Sequence, residues 1–172
     1  MAGRGYNACM VPVAIGIGSN LGDPVQNVLN AAQALRERFG PVRLSPLYRT
    51  SPMYVTDQPD YINAAALFET SIGPRPLLQE LKAMEILLGR APSERYGPRL
   101  LDLDLLTYGA LVLRAERIQI PHPRLHERLF VLRPLWDLEP SLQIPGQGIV
   151  SVLADHSFAD QTVERVETHA DF

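Results

Sequence analysis

Two aspartates separated by one leucine, Asp102 and Asp104, stand in the run Gly97-Pro98-Arg99-Leu100-Leu101-Asp102-Leu103-Asp104-Leu105-Leu106. If this run is a strand, its side chains alternate between faces. Leu101, Leu103 and Leu105 then point into a core, and the two carboxylates point together the other way. The strand rise sets their Cβ atoms about 6–7 Å apart. At an effective dielectric near ~20, two full charges at that distance repel by roughly 2–3 kcal/mol. Nothing within the strand relieves this repulsion, so a cation is expected. Hard oxygen ligands at this spacing suit magnesium, which takes one or two carboxylates and completes its shell with water and phosphate oxygens. A lone Asp-x-Asp is more often a solvated strand face. Here Arg90, Arg95 and Arg99 lie just upstream, and guanidinium groups beside a metal-bound phosphate are what phosphoryl transfer needs, because its catalysis is mostly positioning and charge neutralisation.

Other residues could contribute. Gly16-Ile-Gly18-Ser-Asn-Leu-Gly22 has the look of a phosphate loop, yet it lacks the Lys-Ser/Thr ending of a P-loop and its third glycine is one residue late for a dinucleotide fingerprint. A tight glycine turn, with Asn20 supporting nearby backbone, is the expected role. His122, in Pro121-His122-Pro123-Arg124, is a candidate donor to phosphate with Arg128 beside it; a structural histidine is the competing reading. His126 is four residues on, but Pro123 argues against a regular helix carrying both as metal ligands. Lys82 and Glu85 are three apart, so they can share one flank of a helix, either as a surface ion pair or in contact with a nucleotide. Tyr61 and Asn63 share a strand face, and an amide beside a ring can read a flat heterocycle because it both donates and accepts. The sequence has no Gly-x-Ser-x-Gly elbow, no His-Glu-x-x-His and no sign of a cysteine nucleophile.

Positioning these groups requires a scaffold. Residues 11–17 are a short apolar run that reads as a buried strand. Asp23 then caps a helix with Pro24 at its first position; Val28, Leu29, Ala32 and Leu35 form its apolar face, and Gly40-Pro41 ends it. Two further strands are expected at 42–50 and 61–70, joined by a polar connection, 51–60, long enough to move. Pro74 and Pro76 open a second helix with an inner stripe of Leu77, Leu81, Met84 and Leu88, terminated by Gly89. The connection 90–99 carries little hydrophobic anchoring. A fourth strand at 100–108 is expected to pair through Gly109 with 110–113. The order strand–helix–strand–strand–helix–strand predicts an α+β fold with a ferredoxin-like βαββαβ core, an antiparallel sheet with helices packed on one face. C-terminal helical additions are expected near 124–137 and 148–156, and the polar end from Gln161 is expected to fray.

The chain as a whole bounds the possibilities. Its 172 residues suit one domain, 1–172, with 1–10 and 161–172 peripheral. A hydrophobic fraction of 46% with 20% charged residues is that of an ordinary globular protein. The net charge of -3 and pI near 5.8 argue against a general nucleic-acid binder. One cysteine, Cys9, excludes an internal disulfide and a cysteine zinc cage. No apolar run approaches the ~20 residues that span a bilayer, and residues 1–10, with one Arg and no apolar core, are not expected to act as a signal peptide. A cytoplasmic location and no membrane partner are expected.

Taken together the motifs resemble the 6-hydroxymethyl-7,8-dihydropterin pyrophosphokinase family of folate biosynthesis. The matching segments are Gly18-Ser-Asn-Leu-Gly22, Tyr48-Arg-Thr50, Asp57-Gln-Pro-Asp-Tyr-Ile-Asn63, Gly89-Arg90, Arg95-Tyr-Gly-Pro-Arg-Leu-Leu-Asp-Leu-Asp-Leu105 and Ile120-Pro-His-Pro-Arg-Leu. The resemblance implies transfer of the β,γ-pyrophosphoryl group of ATP to the pterin hydroxymethyl oxygen, with release of AMP. It implies that Asp102 and Asp104 hold two magnesium ions (Mg2+), and that Arg90 and Arg99 close over the triphosphate as catalytic groups. Lys82, Glu85, Tyr96, Leu105, Arg117, His122 and Arg128 fall on ATP-contact positions. Thr50, Ser51, Met53, Tyr61, Asn63, Tyr96 and Phe130 fall on the pterin pocket, with Asn63 reading the pterin edge and Phe130 stacking on its ring. Lys82 stands where the family has Gln, Pro123 where it has an aromatic, and the 90–102 loop is one residue shorter than in some members. The implied partners are the two small-molecule substrates, and a monomer is expected. Two other classes fit the bare aspartate pair: a nucleotidyltransferase or nucleotide-sugar transferase, which needs a larger nucleotide domain, and a non-catalytic ferredoxin-like ligand sensor, which has no use for aspartates and arginines together.

Overall fold

A computed structural model describes residues 9–53, 57–91, 97–156, 158 and 161–167. In chain order its elements are β1 (Val11–Ser19), α1 (Pro24–Phe39), β2 (Arg43–Leu44), β3 (Leu47–Thr50), β4 (Tyr61–Thr70), α2 (Pro74–Leu87), β5 (Asp102–Tyr108), β6 (Leu113–Ala115), β7 (Ile118–Ile120), α3 (Leu129–Leu138), β8 (Gln143–Ile144), β9 (Gly148–Ile149), α4 (Val150–Ala154) and β10 (Val163–Val166). The main sheet runs β10-β3-β4-β1-β5, with β2 also on β4, and its pairings are antiparallel. This is the α+β, ferredoxin-like arrangement expected from the sequence, with β5 on an edge.

Local chemistry fixes the first helix. Asp23 accepts a hydrogen bond from the Gln26 backbone N–H at 3.1 Å, Pro24 occupies the first turn, and the Gly40 N–H closes the far end on the Arg36 carbonyl. Val13, Ile15 and Ile17 of β1, Ile62, Ala64 and Ala66 of β4, and Leu103 and Leu105 of β5 face one side of the sheet and bury the inner stripes of α1 and α2. On the opposite side Ala14, Ala65 and Leu106 pack under Leu132 and Leu135 of α3. The helices therefore take both faces, α3 covering only part of the second.

Four sequence expectations change. The stretch 42–50 forms two short strands, because Ser45-Pro46 interrupts it. Ser45 keeps the segment on β4 by exchanging hydrogen bonds with Ala65, its N–H donating to the carbonyl and its hydroxyl accepting from the amide, each at 2.9 Å. Residues 110–113 do not pair with β5. Instead the Gly109 N–H donates to Pro12 O at 2.8 Å and the Leu111 N–H to Tyr108 O at 3.0 Å, which turns the chain off the sheet into a separate β6–β7 hairpin. The helix expected over 124–137 is a turn of 3-10 helix, Leu125–Glu127, followed by α3. Residues 161–167 do not fray as expected: Gln161 accepts from Leu129 N–H at 2.8 Å and donates to Glu127 O at 2.9 Å, and β10 pairs with β3; the rest of the expected fraying stretch lies outside the described residues.

Candidate active site

Register across the sheet builds the site. Asp102 lies opposite Gly18 and Asp104 opposite Gly16; Gly18 in turn lies opposite Asn63, and Gly16 opposite Ala65. The middle strand thus presents two glycines where neighbouring strands present two carboxylates and an amide. Absent side chains leave a hollow, and a cavity of about 280 Å³ opens there. Its walls include Asp102, Asp104 and Arg99 on one side and Thr50, Tyr61 and Asn63 on the other, with His122, Arg128 and Phe130 above and Ser51 and Met53 at the rim. Thus the strand alternation that placed both aspartates on one face holds.

The repulsion between the aspartates is met by side chains from outside the strand. Arg90 Nη1 lies 2.8 Å from Asp102 Oδ1, and Arg99 Nη1 lies 2.8 Å from Asp102 Oδ2. Lys82 Nζ lies 3.6 Å from Asp102 and 3.8 Å from Asp104. Burial pushes the Asp102 carboxyl up, but Lys82, Arg99 and Arg90 together outweigh it and hold the group below the usual aspartate range. Asp104 goes the other way: burial and then the Asp102 charge raise it, against Lys82, His122 and Arg128. Asp104 is also the more open of the two, its side chain 36% exposed against 21% for Asp102.

Glu85 is a correction to the sequence reading. It was expected off the inner stripe of α2, yet its side chain is 3% exposed. Strand β5 is a sheet edge, so Leu103 turns a peptide N–H and C=O outward with no neighbouring strand to bond them. Glu85 Oε1 accepts from Leu103 N–H at 2.6 Å and Lys82 Nζ donates to Leu103 O at 2.9 Å. Glu85 also accepts from Lys82 at 2.7 Å and from Arg90. Desolvation raises the Glu85 carboxyl despite the opposing Lys82 charge and the Leu103 N–H. Gly89, at φ 98, lets the chain double back so that Arg90 N–H reaches Glu85 O at 2.9 Å, which brings the Arg90 side chain over Glu85 and Asp102.

His122 enters from the other direction. Its backbone N–H donates to Leu106 O at 2.8 Å, tying the segment after β7 to β5 beside Asp104. Its Nδ1 accepts from Arg124 N–H at 3.2 Å, so in the neutral ring the proton sits on Nε2. Burial lowers its pKa, with Asp104 opposing; the neutral ring is favoured. Arg128 lies 5.5 Å from the centroid of Phe130, a cation–π contact. On the far wall Asn63 Nδ2 donates to Thr50 Oγ1 at 2.8 Å.

Not every expected residue joins this group. Leu105 is buried in the core beneath α2. Arg117 is exposed at the turn between β6 and β7 and does not line the cavity. Arg95 and Tyr96 lie outside the described residues. Gly16, expected in a tight glycine turn, lies instead within β1 and with Leu106 shapes the floor; Leu106 and Gln58, which accepts from Asn20 at 3.1 Å, were not assigned to the site from the sequence. Only Gly16 carried a signal, a glycine where a buried strand would ordinarily hold a side chain.

A family model for 7,8-dihydro-6-hydroxymethylpterin-pyrophosphokinase matches residues 14–140. A Haemophilus influenzae protein named 2-amino-4-hydroxy-6-hydroxymethyldihydropteridine pyrophosphokinase is 39% identical over 153 residues, covering 88% of this chain and 95% of that protein. The chain belongs to the dihydro-hydroxymethylpterin pyrophosphokinase family. A mitochondrial folate synthesis bifunctional protein of Arabidopsis thaliana is 48% identical over 128 residues, which are 73% of this chain but only 23% of that protein; this chain corresponds to one part of such longer relatives. A crystal structure of Plasmodium falciparum HPPK-DHPS superposes with a TM-score of 0.69 at 14% identity, covering 87% of this chain and 46% of that one, so the pyrophosphokinase family fold is present here. Among the described residues no helix is long and apolar enough to cross a membrane.

Proposed function

We propose that this chain transfers pyrophosphate from ATP to 6-hydroxymethyl-7,8-dihydropterin, giving AMP and the pterin diphosphate in folate biosynthesis. One observation carries the reading: a single cavity sets a carboxylate pair ringed by arginines against a wall of Asn63, Thr50, Tyr61 and Phe130. The first half suits a metal-bound polyphosphate, and the second suits a flat, hydrogen-bonding heterocycle.

Asp102 and Asp104 fit magnesium. Among the described residues no three His, Cys, Asp or Glu side chains gather to enclose a metal, and magnesium bound with a nucleotide needs only one or two carboxylates. When bound, two magnesium ions would neutralise phosphate charge and lower the pKa of the hydroxymethyl oxygen. Arg90 and Arg99, which hold Asp102, exchange that carboxylate for the triphosphate. His122 offers its Nε2–H, and Arg128 its guanidinium, to phosphate oxygens. Asn63, braced by Thr50, presents its amide to the pterin edge, while Phe130 covers one ring face. Ser51, Met53 and Tyr61 complete that end. The hydroxymethyl oxygen then bonds to the β-phosphorus and gives up its proton to solvent, as the bond from the α–β bridging oxygen to the β-phosphorus breaks and AMP departs with that oxygen. Glu85 and Lys82 act from behind by holding β5 and Arg90.

The test is to incubate the protein with ATP, magnesium and 6-hydroxymethyl-7,8-dihydropterin and separate the products. AMP and pterin diphosphate in equal amounts are expected. Release of ADP, or turnover indifferent to the pterin, would contradict the assignment.

A further inference from the structure

We propose that Lys82 is a resident counter-charge that keeps free divalent cations out of the aspartate pair until nucleotide phosphates arrive. The proposal rests on Asp102 and Asp104 being the metal ligands.

The charges in the ion-paired cluster cancel. Three carboxylates, Glu85, Asp102 and Asp104, meet three cations, Lys82, Arg90 and Arg99. Arg99 is spent on Asp102, Arg90 is shared between Asp102 and Glu85, and Asp104 has Lys82 as its ion-pair partner among the described residues. The ammonium is fixed where it stands. Glu85 at 2.7 Å and Leu103 O at 2.9 Å hold it at the open edge of β5, so it spans the gap between the two aspartates rather than wandering in solvent. A hydrated dication approaching that gap meets a neutral cluster with a positive charge already between its ligands. A triphosphate changes the sum: it draws Arg90 and Arg99 away from Asp102, and its own negative charge pairs with the fixed Lys82 ammonium and cancels the repulsion, so the metal then has a reason to enter. Lys82 thereby couples metal entry to nucleotide entry without touching the reacting atoms, as a positioning and gating residue.

Manganese(II) binding followed by electron paramagnetic resonance tests this on the full chain, with and without a non-hydrolysable ATP analogue. Without nucleotide, Lys82→Gln should bind manganese at least about tenfold more tightly than the unsubstituted protein, since a unit charge within 4 Å of both ligands has gone. With the analogue present the two should agree within about threefold. Lys82→Arg should stay weak without nucleotide, and thermal unfolding checks that each variant is folded. Equal or weaker manganese binding by Lys82→Gln without nucleotide would overturn the proposal, and so would Lys82→Arg binding as tightly as Lys82→Gln. An Asp104→Ala variant that binds manganese normally with the analogue would instead overturn the metal assignment itself, which separates the two failures.

Discussion

Glu85 Oε1 accepts a 2.6 Å hydrogen bond from the backbone N–H of Leu103, the residue between the two site aspartates. A helix side chain thus takes the place of the missing neighbouring strand, and the position of the carboxylate pair depends on α2. Removing Glu85 leaves Lys82, Arg90 and the Leu103 N–H short of a buried partner. Glu85→Ala is expected to cost about 3–5 kcal/mol, the range for breaking a buried ion pair from one side, read from the urea midpoint at unchanged slope. A loss below ~1 kcal/mol would mean water substitutes for the carboxylate and the strand is held by packing alone.

The low pKa of Asp102 makes stability depend on pH in a defined sense. Burial opposes its ionisation, but Lys82, Arg99 and Arg90 win, so the folded carboxyl holds its proton less tightly than the unfolded one. The stabilisation is complete above the usual aspartate range and is lost as pH falls through that range toward the depressed folded value. Unfolding midpoints measured at neutral pH and again below the usual aspartate range should therefore fall further for the unsubstituted protein than for Asp102→Asn. Parallel falls would show that the arginines contribute nothing through this carboxylate.

Much of this site could be read from residue order, and what escaped did so for physical reasons. Alternation placed Asp102 and Asp104 on one face, and β4 spans the predicted residues 61–70, because both are local properties of a strand. Glu85 was misplaced because helix periodicity describes apolar stripes. The attraction for Glu85 is an unpaired peptide group on another element, which exists only once β5 becomes an edge. The β10 strand was missed for a similar reason: half of its four residues are charged, and they gain their structure from β3, far away in sequence. The six described pterin-side residues implied by resemblance do meet at one cavity, whereas Leu105 and Arg117 do not join it. For Leu105 the strand alternation, which places it in the core, agrees with the structure, whereas the ATP-contact position implied by the resemblance does not bring its side chain to the cavity.

The glycine floor predicts a substrate-selective defect. A Cβ built on Gly18 would lie 3.0 Å from Asn63 Oδ1, close enough to push the amide by a few tenths of an ångström and disturb its hydrogen bond to Thr50. Gly18→Ala should raise KM for the pterin about tenfold, the value of one disturbed hydrogen bond to a ligand. KM for ATP should change by less than about twofold, because the aspartates are reached through backbone pairing that alanine preserves. Steady-state kinetics with each substrate varied separately decides; equal effects on both would place the pterin elsewhere.

Asn63 and Gly18 concern one substrate, but Asn20 joins the two halves of the site. Its Oδ1 accepts from Arg99 N–H at 2.8 Å, and its Nδ2 donates to Gln58 Oε1 and to Pro59 O, each at 3.1 Å. One buried amide therefore fixes the base of the arginine-bearing segment and of the segment leading to Tyr61. The two directions can be separated chemically. Asn20→Asp keeps the acceptor for Arg99 but loses both donors and sets a carboxylate against two oxygens, so pterin KM should rise about tenfold or more while ATP KM moves little. Asn20→Ala removes both side-chain connections and leaves only the backbone bond from its N–H to Arg99 O at 3.1 Å, so both KM values should rise together with a fall in kcat, as expected when a positioning group shared by two substrates is lost. If Asn20→Asp impaired ATP as severely as the pterin, the amide would act as one structural plug, not as two separable tethers.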